Sequence, residues 1–245
     1  MSWTLLNTRP AHQAAALTEA AQALGYRVLE CPTLEIACLP FRLPRAAVWV
    51  FTSPNAVRCF HAQQPTLPRG RLIAIGPATA QALQALAGEG GPRLFSIPKN
   101  FTSESLLKMR VFDPQNAAAG QKVAIIKGEG GRTLLKETLQ QRGWAVEEVI
   151  VYRRVRRSLC PAWRDFQQAE RPLVLAMSVE SVQALLPPLS PNERHWLQQQ
   201  PVAALSPRIA EVLRERGWAG LLYVAERQDA SGMIELLRQL AEETS

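Results

Sequence analysis

Short, continuous apolar runs alternate along the chain with longer stretches whose apolar residues recur at helical spacing. Trp3 to Thr8 is a strand-like run that ends at Arg9-Pro10. In the segment that follows, Ala15, Leu17, Ala21 and Leu24 recur at helical spacing, and Gly25 stops it. Tyr26–Glu30 predicts the next strand, and Ala47–Phe51 a fully apolar one. The latter breaks at Thr52-Ser53-Pro54-Asn55, where a hydroxyl can cap a helix and a proline can begin it. Leu72–Ile75 then predicts a strand, Gly76-Pro77 a turn and Ala78–Leu86 a helix, while Val123–Ile126 and Val174–Met177 repeat the strand theme. Strands that are apolar throughout are buried on both faces. Their alternation with helices predicts parallel sheets in three-layer α/β domains.

The pattern occurs twice. The blocks beginning at Leu5, Phe51, Ile75 and Asn100 recur in the same order from Ala124, Ala176, Leu205 and Gln228. The repeat distance of roughly 120–130 residues is far above that of a solenoid, so each copy is the size of a domain. Two similar domains imply a cleft between them, the natural place for a site. A cut near Gly120 would give two consecutive domains. Cys31–Pro44 and Tyr152–Trp163, rich in proline or arginine and without helical periodicity, are expected to connect domains.

Composition narrows the function. A hydrophobic share of 47% suits a globular core, and no apolar stretch approaches the ~18–20 residues of a membrane span. The opening MSWTLLNTRP runs into a strand without a signal peptide, so the cytoplasm is the expected location. Cys31, Cys38, Cys59 and Cys160 show no metal-ligand spacing and are expected to be buried or half-buried thiols. His12, His61 and His195 form no HExxH, which argues against zinc. The net charge of +7 suits an anionic partner. The densest basic run, Arg153–Arg157, is not interleaved with aromatics, so no nucleic acid is expected.

Candidate chemistry collects in the loops after the strands. These hold Thr8 and Arg9, Thr52 and Ser53, Gly76 to Thr79, Thr102 and Ser103, Gly128 to Arg132, Ser178, Ser206 and Ser231. In an open α/β sheet, ligands bind at the carboxyl ends of strands, where helix N-termini offer free N–H groups to anions. Any one of these hydroxyls can be only a helix cap. As a set repeated in both halves, they predict anion binding. KGEGGR lacks the GK[ST] of a phosphate loop and fails GxGxxG, and no Ser/His/Asp set or close carboxylate pair appears. Catalysis here would rest on positioning and electrostatics.

Together these blocks resemble uroporphyrinogen-III synthases. The resemblance runs through LLNTRP, VFTSPNAV, AIGPATAQAL, FTSESLL, VAIIKGEGGR, VIVYRR, LAMSVESV, VAALSPRIAEVL and DASGMIELL, in that order. It implies two α/β domains joined by a two-stranded connection, with the active site in the cleft between them. One domain would be discontinuous, from residues 1–35 and 157–245. The other would span 40–152, with 36–39 and 153–156 as the crossings. The implied reaction closes hydroxymethylbilane to uroporphyrinogen III. Loss of the hydroxyl gives an azafulvene, and ring D attacks through its substituted carbon to give a spiro intermediate that recloses with ring D inverted.

No cofactor or metal is implied. The partner is the linear tetrapyrrole, a polycarboxylate, and the upstream hydroxymethylbilane synthase is the candidate protein partner of a monomer. Tyr152 matches the family's strand-end tyrosine, a donor to the departing hydroxyl. Thr79 and Ser178 match family hydroxyl positions, and a threonine of some members is Ile209 here, so either that hydroxyl is not essential or Ser206 or Arg208 serves instead. Arg9, Arg132 and Arg208, with Thr8, Ser53, Gly76, Thr102, Ser103 and Gly130, complete the expected substrate contacts. The competing readings are a two-lobed small-anion binding protein without catalysis and a nucleotide or sugar-nucleotide transferase. The second would want a phosphate loop or a pair of metal-binding carboxylates.

Overall fold

The computed structural model describes residues 2–87, 94–96, 102–117, 121–131 and 133–243. The chain begins with β1 (Thr4–Asn7), α1 (Ala11–Ala23), β2 (Arg27–Glu30) and β3 (Leu34–Cys38). It continues through β4 (Val48–Phe51), α2 (Pro54–His61), β5 (Arg71–Ala74), α3 (Pro77–Ala87), β6 (Leu94–Ser96) and α4 (Ser103–Leu106). After two short 3₁₀ turns come β7 (Lys122–Gly128), α5 (Leu134–Gln141) and the long β8 (Ala145–Arg156). The remainder is α6 (Trp163–Gln167), β9 (Pro172–Ala176), α7 (Val179–Leu185), α8 (Pro191–Gln198), β10 (Val202–Ala204), α9 (Pro207–Glu215), β11 (Leu222–Val224) and α10 (Ala230–Glu242).

Two compact units emerge, Met1–Glu35 with Val155–Ser245 and Ile36–Arg154. The first holds a sheet in the order β11-β10-β9-β1-β2, and the second a sheet in the order β3-β8-β7-β4-β5-β6. A consecutive cut near Gly120, itself outside the described residues, is therefore wrong: β1 lies between β2 and β9, with Leu5 beside Val28 on one side and Leu173 on the other. The two sheets follow one plan. The paired blocks of the repeat make β1 the counterpart of β7, β2 of β8, and β9, β10 and β11 of β4, β5 and β6. Each sheet thus takes its opening strand–helix–strand from one copy of the repeat and its remaining strands from the other.

Parallel pairing and burial on both faces explain the apolar runs. In the first unit Leu5 and Leu6 are both fully buried but face opposite ways. Leu5 joins Leu17, Tyr26, Leu173, Met233 and Leu237 on one side. Leu6 joins Trp163, Phe166, Val174, Leu213 and Trp218 on the other. In the second unit Val50, Ile73 and Ile125 pack under α4 and α5 with Leu106, Phe112 and Leu139. Phe51, Leu72 and Ile126 pack with Phe60 and Leu83 of α2 and α3. Each such large side chain contributes roughly 1.5–3 kcal/mol on burial.

The chain passes between the units within β3 and within β8, which are neighbours in one sheet. The Leu39 N–H donates to the Val151 carbonyl at 2.8 Å and the Arg157 N–H to the Thr33 carbonyl at 2.9 Å, so the two strands run antiparallel.

The cysteines correct the expectation of free thiols. Cys31 is bonded to Cys160 and Cys38 to Cys59, each pair with Cα atoms 5.2 Å apart. The partners lie 129 and 21 residues apart in sequence, so no local spacing could announce them. The tertiary course of the crossing strands brings them together.

Candidate active site

The candidate residues stand at the carboxyl edges of the two sheets. In the second unit Ser53 follows β4 and caps α2, its Oγ accepting the Ala56 N–H at 3.1 Å. The same Oγ lies 3.2 Å from the Tyr152 hydroxyl. Tyr152 is only 3% exposed, near the end of β8 where the register with β7 shifts between Lys127 and Gly128. Its ring lies flat against Gly128, where an added Cβ would stand 2.5–2.9 Å from three ring carbons. The ring therefore requires glycine at position 128. The Glu129 N–H donates to the Tyr152 carbonyl at 2.8 Å, pinning the following loop to the same residue. The Arg154 guanidinium sits over the ring, 5.6 Å from its centre.

A cavity of about 260 Å³ opens here, lined by Thr52, Ser53, Ser103, Gly128 to Gly131 and Tyr152 among others. Four candidates thus share one cavity: Ser53, Ser103, Gly130 and Tyr152. Gly130 takes the left-handed conformation, at φ +73°, that suits glycine. Thr102 caps α4 through the Ser105 N–H at 3.3 Å. Gly76 and Thr79 are buried at the start of α3 and do not line the cavity. Arg132 lies outside the described residues.

Sequence reasoning missed the charged floor of this cavity. Lys127 Nζ lies 2.8 Å from Glu148 Oε1, and Lys136 Nζ 3.0 Å from Glu148 Oε2. Burial opposes ionisation of Glu148, but the hydrogen bonds and charges of the two lysines outweigh it and hold its pKa below the ordinary value. Sheet register was the missing signal: it sets Ile125 opposite Glu148, which brings Glu148 to the β7 face that carries Lys127.

In the first unit the candidates line the ends of three neighbouring strands. Thr8, after β1, is buried and its hydroxyl donates to the Leu175 carbonyl at 3.1 Å. Burial lowers the pKa of Arg9. Ser178, after β9, caps α7 through the Ser181 N–H at 3.1 Å. Ser206, after β10, caps α9 through the Ile209 N–H at 3.4 Å, and Arg208 is exposed in that helix's first turn. A separate cavity of about 490 Å³ beside α10 holds Ser231 but no other candidate. Among the described residues, no three His, Cys, Asp or Glu side chains cluster as metal ligands do.

Comparisons with known proteins agree in their direction. A family model described as uroporphyrinogen-III synthase HemD matches residues 15–235. The chain is 31% identical over 258 residues to the uroporphyrinogen-III synthase of Salmonella typhimurium, covering 96% of this chain and 100% of that protein. It is 31% identical over 183 residues to the Escherichia coli protein of the same name, covering 71% of this chain and 68% of that one. The crystal structure of uroporphyrinogen-III synthetase from Helicobacter pylori superposes with a TM-score of 0.66 at 16% identity, over 98% of this chain and 100% of that one. At that identity the superposition speaks for the fold.

Proposed function

Because the chain belongs to the uroporphyrinogen-III synthase family, we propose that the cavity around Tyr152 is where its reaction takes place. The protein is a cyclising lyase: it closes hydroxymethylbilane to uroporphyrinogen III, inverting ring D and releasing water. The bond to the terminal hydroxyl breaks to give the azafulvene. Ring D attacks through its substituted carbon, and the spiro intermediate fragments and recloses.

The observation that carries the placement is the Ser53–Tyr152 pair at 3.2 Å. Ser53 Oγ already accepts the Ala56 N–H. With its own hydrogen turned to the tyrosine oxygen, the phenol hydrogen is left to donate into the cavity. Tyr152 then assists departure of the hydroxyl as a hydrogen-bond donor or general acid. The Ser103 hydroxyl and the amides of Gly130 and Gly131 offer donors to the substrate's carboxylates. Within the first unit, Arg9, Ser178, Ser206 and Arg208 are the candidates for binding carboxylates.

Among the described residues, no helix is long and apolar enough to cross a membrane. We place the enzyme in the cytoplasm as a monomer, receiving its labile substrate from the synthase that makes it.

The deciding experiment supplies hydroxymethylbilane enzymatically and analyses the oxidised porphyrin by isomer. Type III product is expected without added metal or nucleotide. Type I alone, the spontaneous product, would overturn the reading. A second expectation follows from the packing of Tyr152. Gly128→Ala must displace the tyrosine ring, because the new Cβ would overlap three of its carbons. Turnover should fall about tenfold or more as the hydroxyl shifts, and stability by about 1–3 kcal/mol from overpacking. Steady-state rates and a thermal melt check the two effects; wild-type values in both would show that the ring has room to move.

A further inference from the structure

Three features of the cavity floor are at odds with a purely structural salt bridge. Lys127 is nearly buried, its side chain only 13% exposed, a costly place for an ammonium. Lys136 stands in the first turn of α5, where the helix dipole favours an anion over a cation. A single carboxylate, Glu148, serves both. Among the described residues that line the cavity, Lys127 and Lys136 stand with Glu129, Glu148 and Arg154. Charges set against burial and against the helix polarity in this way are found at functional sites.

We propose that Lys127 and Lys136 form a subsite for one carboxylate of the substrate, a proposal that rests on the synthase reading. Each ammonium has three donors and spends one on Glu148, at 2.8 and 3.0 Å. Glu148 holds the two ammoniums on one side and the incoming acetate or propionate completes their pairing on the other. The lysines act on binding and orientation, and Tyr152 on the chemistry. The subsite therefore governs KM and product affinity more than kcat.

The test measures binding of uroporphyrin III, the oxidised product, by fluorescence at several salt concentrations. It compares the wild-type protein with Lys127→Met/Lys136→Met, Lys136→Met and Lys136→Arg. The double variant should bind about tenfold more weakly or worse, and its affinity should depend less on salt. Lys136→Met, altering a side chain that is 39% exposed, should show a smaller loss in the same direction and serves if the double variant does not fold. Lys136→Arg, which keeps the charge, should restore most of the affinity. Unchanged affinity and salt dependence in a folded methionine variant would overturn the subsite. The isomer assay on the wild-type protein separates the two failures: type III product with unchanged variant affinity removes the subsite alone, and type I product removes the function reading with it.

Discussion

Replacing Tyr152 by phenylalanine is expected to lower turnover by about a hundredfold while the fold survives. The substitution removes one oxygen and keeps the ring that packs against Gly128 and fills the core with Trp49, Phe51 and Phe60. The lost contact within the protein is the 3.2 Å hydrogen bond to Ser53, whose oxygen still caps α2 through Ala56. Its removal should cost about 0.5–1.5 kcal/mol of stability. The rate effect has a different origin. Loss of the hydroxyl from hydroxymethylbilane needs a donor where charge develops, and that interaction strengthens only in the transition state, so kcat should fall more than KM rises. Single-turnover rates with isomer analysis, beside a melting curve, make the check. Near-wild-type turnover in a stable variant would reduce Tyr152 to packing. Gly128→Ala made on the Tyr152→Phe background should then cost little further activity, because both act through the same hydroxyl.

The second large effect concerns the crossing strands. Removing the Cys31–Cys160 bond is expected to lower stability by roughly 2–5 kcal/mol. The bond closes a sequence loop of 129 residues, which contains the whole of the second unit. Linking positions so far apart removes much of the unfolded chain's freedom, and the loss grows only slowly with loop length. The 21-residue Cys38–Cys59 loop should contribute less on the same ground. Urea unfolding of the oxidised protein, the reduced protein and a Cys31→Ala/Cys160→Ala variant measures the difference. Equal midpoints for the oxidised and reduced forms would show that the bonds do not hold the fold. In reducing surroundings the fold would lose this contribution.

Most of the elements were legible in the sequence because they depend on neighbours along the chain. The run Ala47–Phe51 is strand β4, and Ser53-Pro54 is a cap and a first helical residue in the structure as in the pattern. Ser178 and Ser206 likewise accept from amides three residues on. Apolar runs on both faces imply a covered parallel sheet, and the helices lie on both sides of each. Tyr152 came from the resemblance to known synthases, since a lone tyrosine in an arginine-rich stretch carries no pattern of its own.

Other features could not be read from the chain. The repeat shows that Leu5–Pro32 and Ala124–Val151 are alike, and alike segments can complete either sheet. Which of them does is decided by contacts more than a hundred residues apart, such as Leu6 beside Val174, and the structure exchanges them. The same distance hid the disulfides. Lys127, Lys136 and Glu148 were not among the sequence candidates, because only the pairing of β7 with β8 and the seat of α5 bring them onto one cavity. The sequence alone thus determined β1, β2, β4, β5, β7 and β9 and the caps at Ser53, Ser178 and Ser206, which rest on local spacing, and the family, which rests on the order of its blocks. Tertiary structure decided which strands share a sheet, which cysteines meet and which charges line one cavity, because each depends on residues that only folding brings together.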